Sequence, residues 1–183
     1  MKKILLAVLI AGSAAAVSAQ SMSSFTGTGV EIGAGVSKTD FKNSNLDEKN
    51  RADFAIRGSH NVEFGNNWIG GGEIALKPIH RKVGTAGSIN LKQKYDVGLS
   101  YVHGYRFAQD LMAYGKVGYH YGKFSSTNSG GSHGMHGVGY GVGMKYALAP
   151  NVEAGIEWEQ TRYKRDDNKA TNNAYMATVG YRF

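Results

Sequence analysis

The chain of 183 residues contains no cysteine and only two prolines. Without cysteine it can hold neither a disulfide framework nor a thiolate metal site, and it is compatible with an oxidising envelope. Beyond the first twenty residues no apolar run is long enough for a membrane-spanning helix. Negative charge is also scarce: 14 acidic residues face 21 basic ones, a formal net charge of +7. What the sequence has instead is glycine, 26 residues, with 11 Tyr, 7 Phe and 2 Trp. With so little proline, that composition favours repeated strands and turns within one domain. The mean hydropathy of -0.34 is a weak argument for solubility, because alternating strands average to a low value while presenting one continuous apolar face.

At the N-terminus Lys2 and Lys3 precede an apolar run from Ile4 to Ile10, and small residues lead to Val17-Ser18-Ala19 before Gln20. This pattern predicts a signal peptide over residues 1–19, cleaved near Ala19-Gln20, and a single domain over residues 20–183. The apolar core is too short to span a bilayer. The mature chain would keep 19 basic and 14 acidic residues, about +5 by counting.

Three short turn signals, Gly65-Asn66-Asn67, Ala108-Gln109-Asp110 and Ala149-Pro150-Asn151, fall roughly forty residues apart. Each unit reads as a strand, a long polar loop, a returning strand and a tight turn, and four units give eight strands. The expected strands are roughly Gly29 to Ser37, Asp53 to Phe64, Trp68 to Lys77, Tyr95 to Phe107, Leu111 to Lys123, Met135 to Leu148, Val152 to Tyr163 and Ala174 to Phe183. Alternation is plain in each. Val138, Tyr140, Val142, Met144, Tyr146 and Leu148 oppose Gly137, Gly139, Gly141, Gly143 and Lys145, while Tyr175, Ala177, Val179, Tyr181 and Phe183 oppose Met176, Thr178, Gly180 and Arg182. Charges share the row of the glycines. A greasy outer row over a small or polar inner row suits a wall between lipid and a polar lumen.

The N-terminal leader, the eight alternating strands, the Gly137-to-Tyr146 run followed by Ala149-Pro150-Asn151, and the Val179-Gly180-Tyr181-Arg182-Phe183 ending resemble the small eight-stranded outer-membrane β-barrel superfamily, which includes the transmembrane domain of outer-membrane protein A. The resemblance implies an all-β, eight-stranded, up-and-down antiparallel transmembrane barrel in a bacterial outer membrane, with both termini in the periplasm. It also implies that Tyr175, Val179, Tyr181 and Phe183 form an assembly signal read by the barrel assembly machinery after periplasmic chaperones deliver the chain. For activity it is permissive, since relatives serve as adhesins, anchors, narrow channels and lipid-modifying enzymes. The peptidoglycan-binding domain of full-length outer-membrane protein A has no counterpart here.

The inner row holds Glu31, Arg57, Glu63, Glu73, Lys77, Asp96, Arg106, Lys116, Glu153, Glu157 and Arg182. The interior of eight strands is just wide enough for side chains, so mixed charges predict a salt-bridged plug; the alternative is a narrow porin path in which pairs exchange partners. The glycines of 137–143 are spaced by two with no helix to follow, so they belong to the wall rather than to a phosphate loop. His133 and His136, with His120 or His80, could gather a metal, but no cysteine or loop carboxylate supports one, and no metal or cofactor is expected. Ser59-His60 and Ser132-His133 lack a triad partner set, so no enzyme is expected. His60 and His103 fall on the lipid-facing row at similar height, and neutral imidazoles near the membrane interface are their simplest reading. The long connections carry thirteen basic residues against five acidic ones, among them Arg81, Lys82, Lys92, Lys94, Arg162, Lys164 and Arg165. That excess points to lipopolysaccharide phosphates, outer-membrane lipid and host or surface polyanions as partners. Nucleic acid is disfavoured because these cations crown a membrane barrel. The function expected is therefore a structural or surface-interaction protein, adhesin-like and in contact with lipopolysaccharide.

Overall fold

The computed structural model describes residues 24–41, 50–78, 81–86, 89–126, 132–165 and 168–183; the signal-peptide segment lies outside them. The described residues form nine strands: β1 (Gly27–Phe41), β2 (Arg51–Gly65), β3 (Trp68–Lys77), β4 (Arg81–Ala86), β5 (Ile89–Ala108), β6 (Leu111–Ser126), β7 (Ser132–Ala149), β8 (Val152–Arg165) and β9 (Asn168–Arg182). All neighbours pair antiparallel, and β9 returns to β1 while β3 pairs with β5, so the sheet closes on itself. Closure leaves no edge in the membrane, the condition for a β-structure to cross it. The ring has eight staves, because β3 and β4 both pair with β5 and occupy one line. Pro78 ends β3; it has no N–H to donate, and the ladder stops there.

At the short-turn end the strands stop close to where the alternation does. The first turn needs two left-handed residues, and Asn66 (φ 52) and Asn67 (φ 67) supply them in the two-residue connection between Gly65 and Trp68. At the opposite end the strands run further than the sequence pattern suggests: β1 reaches Phe41, β5 begins at Ile89 and β9 begins at Asn168. About 9–11 residues suffice to cross a bilayer, so strands of 14 to 20 residues continue into water, where hydrogen bonding persists but the apolar outer row is no longer required.

Side-chain direction follows the pleat throughout. Ile32, Ile74, Leu99, Val117, Val142, Ile156 and Val179 are exposed on the outer wall between two aromatic bands. Phe64, Trp68, Tyr105, Phe107, Tyr146 and Tyr181 lie toward the short turns, and Tyr119, Tyr140 and Tyr175 toward the other end. The lumen is layered. Near the short turns Phe25, Ile69, Val102, Met112 and Tyr114 pack together; Phe124, Met135, Tyr163 and Ala170 form a second apolar cluster toward the opposite end; charged side chains fill the space between. Phe25 precedes β1 in a left-handed turn (φ 73). Its ring is 2% exposed, and its carbonyl accepts a hydrogen bond from Asn61 Nδ2 at 3.1 Å.

Candidate functional site

The inner charges meet as one chain of ion pairs. Arg57, 2% exposed, is its hub, with Nη1 at 2.7 Å from Glu31 and Nη2 at 2.6 Å from Glu157. Lys116 Nζ contacts Glu73 at 3.1 Å, Glu157 at 2.9 Å and Glu159 at 2.8 Å, and Lys77 reaches Glu159 at 2.7 Å. In the other direction Lys145 bridges Glu31 and Glu153, and Arg182 closes on Glu153 at 2.9 Å. Five cations and five glutamates thus form a ladder of zero formal charge. Burying ions is costly, and only mutual pairing with extra hydrogen bonds offsets it; Glu157 takes one such bond from the Tyr114 hydroxyl at 2.8 Å.

Three residues named from the sequence stand apart from this ladder. Asp96 bonds His120 Nδ1 at 3.1 Å and the Tyr163 hydroxyl at 2.7 Å. Glu63 and Arg106 pair at 2.8 Å, partly exposed at the short-turn mouth. Conversely, Lys145 and Glu159 were absent from the expected set although their parity marks them: Lys145 continues the row of Gly141 and Gly143, and Glu159 follows Glu157 by two. His120 and Tyr114 share the parity of Lys116. Glycines make room for both rings, since a Cβ on Gly98 or Gly139 would lie 2.6 Å from the His120 ring and one on Gly143 would lie 2.5 Å from Tyr114. The space left by inward glycines is taken from neighbouring strands, with rings lying along the wall.

At the long-connection end the cations Arg162, Lys164 and Lys169 are exposed. Arg162 and Lys164 point outward from β8. The Arg162 guanidinium lies 5.6 Å from the centre of the Tyr140 ring and donates to the Tyr140 hydroxyl at 3.2 Å and to Gln160 at 3.1 Å. The register sets Lys164 between His136 and Lys169 and Lys82 opposite Lys92. The expectation that these cations sit in long connections is corrected: Arg81 and Lys82 are on β4, Lys92 and Lys94 on β5, and β8 runs past Arg162, which the expected strand already held, to take in Lys164 and Arg165. The side chains of Arg81, Lys82, Lys92 and Arg165 lie outside the described residues, as do His80, Lys42 and Lys49.

The family model of the outer membrane protein beta-barrel domain matches residues 5–183. The chain belongs to this family. Among relatives, Outer membrane protein X of Enterobacter cloacae is 35% identical over 102 residues, 53% of this chain and 56% of that protein. Outer membrane protein X of Escherichia coli K12 is 31% identical over 105 residues, 56% of this chain and 58% of that protein. The chain thus spans little more than half the length of the relatives it matches. Among solved structures, the attachment invasion locus protein Ail of Yersinia pestis aligns with 87% of this chain and 100% of its own at 25% identity and TM-score 0.59. Neisserial surface protein A shares the fold at TM-score 0.63 and 18% identity, covering 86% of this chain and 98% of that one.

In an outer-membrane barrel the short turns face the periplasm and the longer connections the outside, so Arg162 and Lys164 lie toward the outer leaflet. The described histidines then sort by strand face. His133 and His136 both lie on β7, three residues apart and so on opposite faces, which separates them as a pair. His136 lies 5.7 and 5.1 Å from the rings of Tyr119 and Tyr121. Ser59 and His60 likewise face opposite sides of β2. No group of three or more metal-ligating side chains occurs among the described residues. His60 and His103 both face outward, on the strands that flank β3 and opposite Gly72 and Gly70 respectively.

Proposed function

We propose that the protein is a surface-interaction barrel whose rim cations hold the phosphates of lipopolysaccharide and, through the same charge, other surface polyanions. The observation that carries this reading is the pairing of like charges at the exposed end of β8 and β9, Lys164 opposite Lys169. Like charges directly opposite destabilise a ladder, and a phosphate bound there turns repulsion into attraction. Arg162 adds a planar fork suited to phosphate oxygens, already fixed by Tyr140 and Gln160. A neighbour of the same fold, Ail, has been solved in complex with the heparin analogue sucrose octasulfate, which is consistent with a polyanion-binding rim on this scaffold. Neutralising Arg162, Lys164 and Arg165 together should leave the barrel folded and reduce the lipopolysaccharide it retains from lipopolysaccharide-containing bilayers, with zwitterionic bilayers as the control. The difference should shrink at high salt, where the screening length is only about 3 Å at 1 M. Equal lipopolysaccharide retention by both proteins at low salt would remove the rim as the functional element.

This role needs no catalytic residue and no open channel. The ion ladder fills the lumen between two apolar layers, which argues against the narrow-porin alternative; a large, steady planar-bilayer conductance of the parent protein would restore it. For biogenesis we infer that the closing strand is the segment the barrel assembly machinery engages. Tyr175, Val179 and Tyr181 face outward on β9. Phe183 stacks edge-on to Tyr181 at 5.1 Å, and its N–H bonds the Thr28 carbonyl at 2.8 Å across the closing seam. Phe183→Asp should therefore reduce the heat-modifiable, membrane-embedded fraction while export to the periplasm continues. An unchanged embedded fraction would exclude the terminal aromatic from that signal.

A further inference from the structure

On the lipid-facing wall an apolar groove of about 930 Å³ starts beside Trp68 and His103, crosses β6 to β9 and ends at Ala34 and Val36 on β1. It runs between two adjacent rungs of outward side chains, one beginning at Tyr105 and the other at His103, and it is hollow because Ala113, Gly115 and Ala177 are small. Rungs follow the hydrogen bonds, perpendicular to strands that tilt by roughly 35–45°, so the groove climbs. It begins close to the periplasmic turn at Ala108 and finishes well up β1, between the two aromatic bands.

Its lower end is polar. The His103 ring lies nearly parallel to Trp68, 5.0 Å between centres and 18° between planes, and its Nδ1 is 3.2 Å from the Tyr101 hydroxyl. Gly70 permits this shelf: a Cβ there would come within 2.7 Å of Phe64 and 2.8 Å of the Tyr101 hydroxyl. In the tautomer where the phenol donates to Nδ1, the imidazole proton sits on Nε2. Among the described residues no hydrogen bond to Nε2 is made, so in that tautomer an N–H donor faces the membrane at the level of the aromatic band. Leaving it unmet in hydrocarbon is costly, and the bilayer offers acceptors at that depth, the ester and phosphate oxygens of a glycerophospholipid. The groove then leads from that headgroup level toward the bilayer centre, the path an acyl chain takes. His60 repeats the chemistry across β3, its Nδ1 2.9 Å from the Thr28 hydroxyl, beside Gly58 and Gly72 where the wall is open.

We propose that this groove is a binding site for one glycerophospholipid of the periplasmic leaflet, its acyl chain along Ala113, Gly115 and Ala177 and its ester or phosphate oxygen bonded to His103 Nε2–H. The site is separate from the basic rim, at the other end of the barrel. To test it, the protein is refolded into nanodiscs of phosphatidylethanolamine and phosphatidylglycerol, extracted into dodecyl maltoside and weighed intact by native mass spectrometry. The parent should retain one phospholipid. His103→Phe, which keeps the ring stack but loses the donor, should weaken retention about tenfold, equivalent to about 1.4 kcal/mol, and Gly115→Leu, which fills the groove, should abolish it. Heat-modifiability of both variants checks that they fold, and nitrogen-15 spectra of the parent should show the proton of His103 on Nε2. Equal retention by parent and both variants, or a proton on Nδ1, would overturn the proposal. So would a dimer of the parent that Gly115→Leu dissociates, since the groove would then be a contact between copies.

Discussion

Arg57→Ala is expected to destabilise the folded barrel by about 3–5 kcal/mol, the range found when one member of a buried ion cluster is removed and its partners are left behind. Arg57 is the hub of the ladder: its two terminal nitrogens hold Glu31 and Glu157, and its Nε lies 4.0 Å from Glu73. Without it, five glutamates share four cations in a lumen with little access to water, and Glu31 and Glu157 are left with Lys145 and Lys116 as their charged partners. The penalty is a property of imbalance rather than of the lost contacts alone. Arg57→Met with Glu157→Gln restores neutrality and keeps most of the volume, so the double variant should recover more than about 1 kcal/mol of what Arg57→Met loses, a coupling within the range for residues in one network. Urea unfolding of vesicle-embedded protein, followed by tryptophan emission, measures both quantities. A loss under about 1 kcal/mol for Arg57→Ala would mean that water replaces the guanidinium and that the lumen is wetter than the packing shows.

The rows of this barrel were legible because lipid enforces them. Over the crossing stretch every second residue must be apolar, so Val138, Tyr140, Val142 and Met144 announce the outer face of β7 and Gly137 to Lys145 the inner one. Past the bilayer that demand ends. Lys164, Arg165, Asn168 and Lys169 form regular ladder pairs yet read as loop, because water satisfies both faces and leaves no period in the sequence. Lumen contents were legible by parity and their connections were not. Lys145 on β7 reaches Glu31 on β1 across the interior, a partnership set by barrel diameter and strand stagger rather than by sequence spacing. The burial of Phe25 had no pattern to reveal it, since it rests on a single left-handed residue ahead of β1. The split of the third stave did have a signal, Pro78, whose missing N–H marks where β3 ends.

Val142→Arg is expected to cost about 2–4 kcal/mol, and Leu148→Arg about 0–1 kcal/mol, although both positions sit on the same strand, on the same face and at similar exposure, 57% and 60%. The difference comes from depth alone. Val142 lies between the two aromatic bands, in the rung with Gly115 and Trp158, where an arginine has hydrocarbon on every open side. Leu148 is next to Ala149, where β7 ends at the periplasmic turn, and a guanidinium there reaches headgroups and water by extending its stem. Neither substitution touches the ion ladder, so the contrast reports on the membrane and not on lumen packing. Reversible unfolding of both variants in phospholipid vesicles gives the two costs directly. Equal costs at the two sites would place the bilayer differently along β7, and with it the depth assigned to the His103 shelf and to the lower end of the groove.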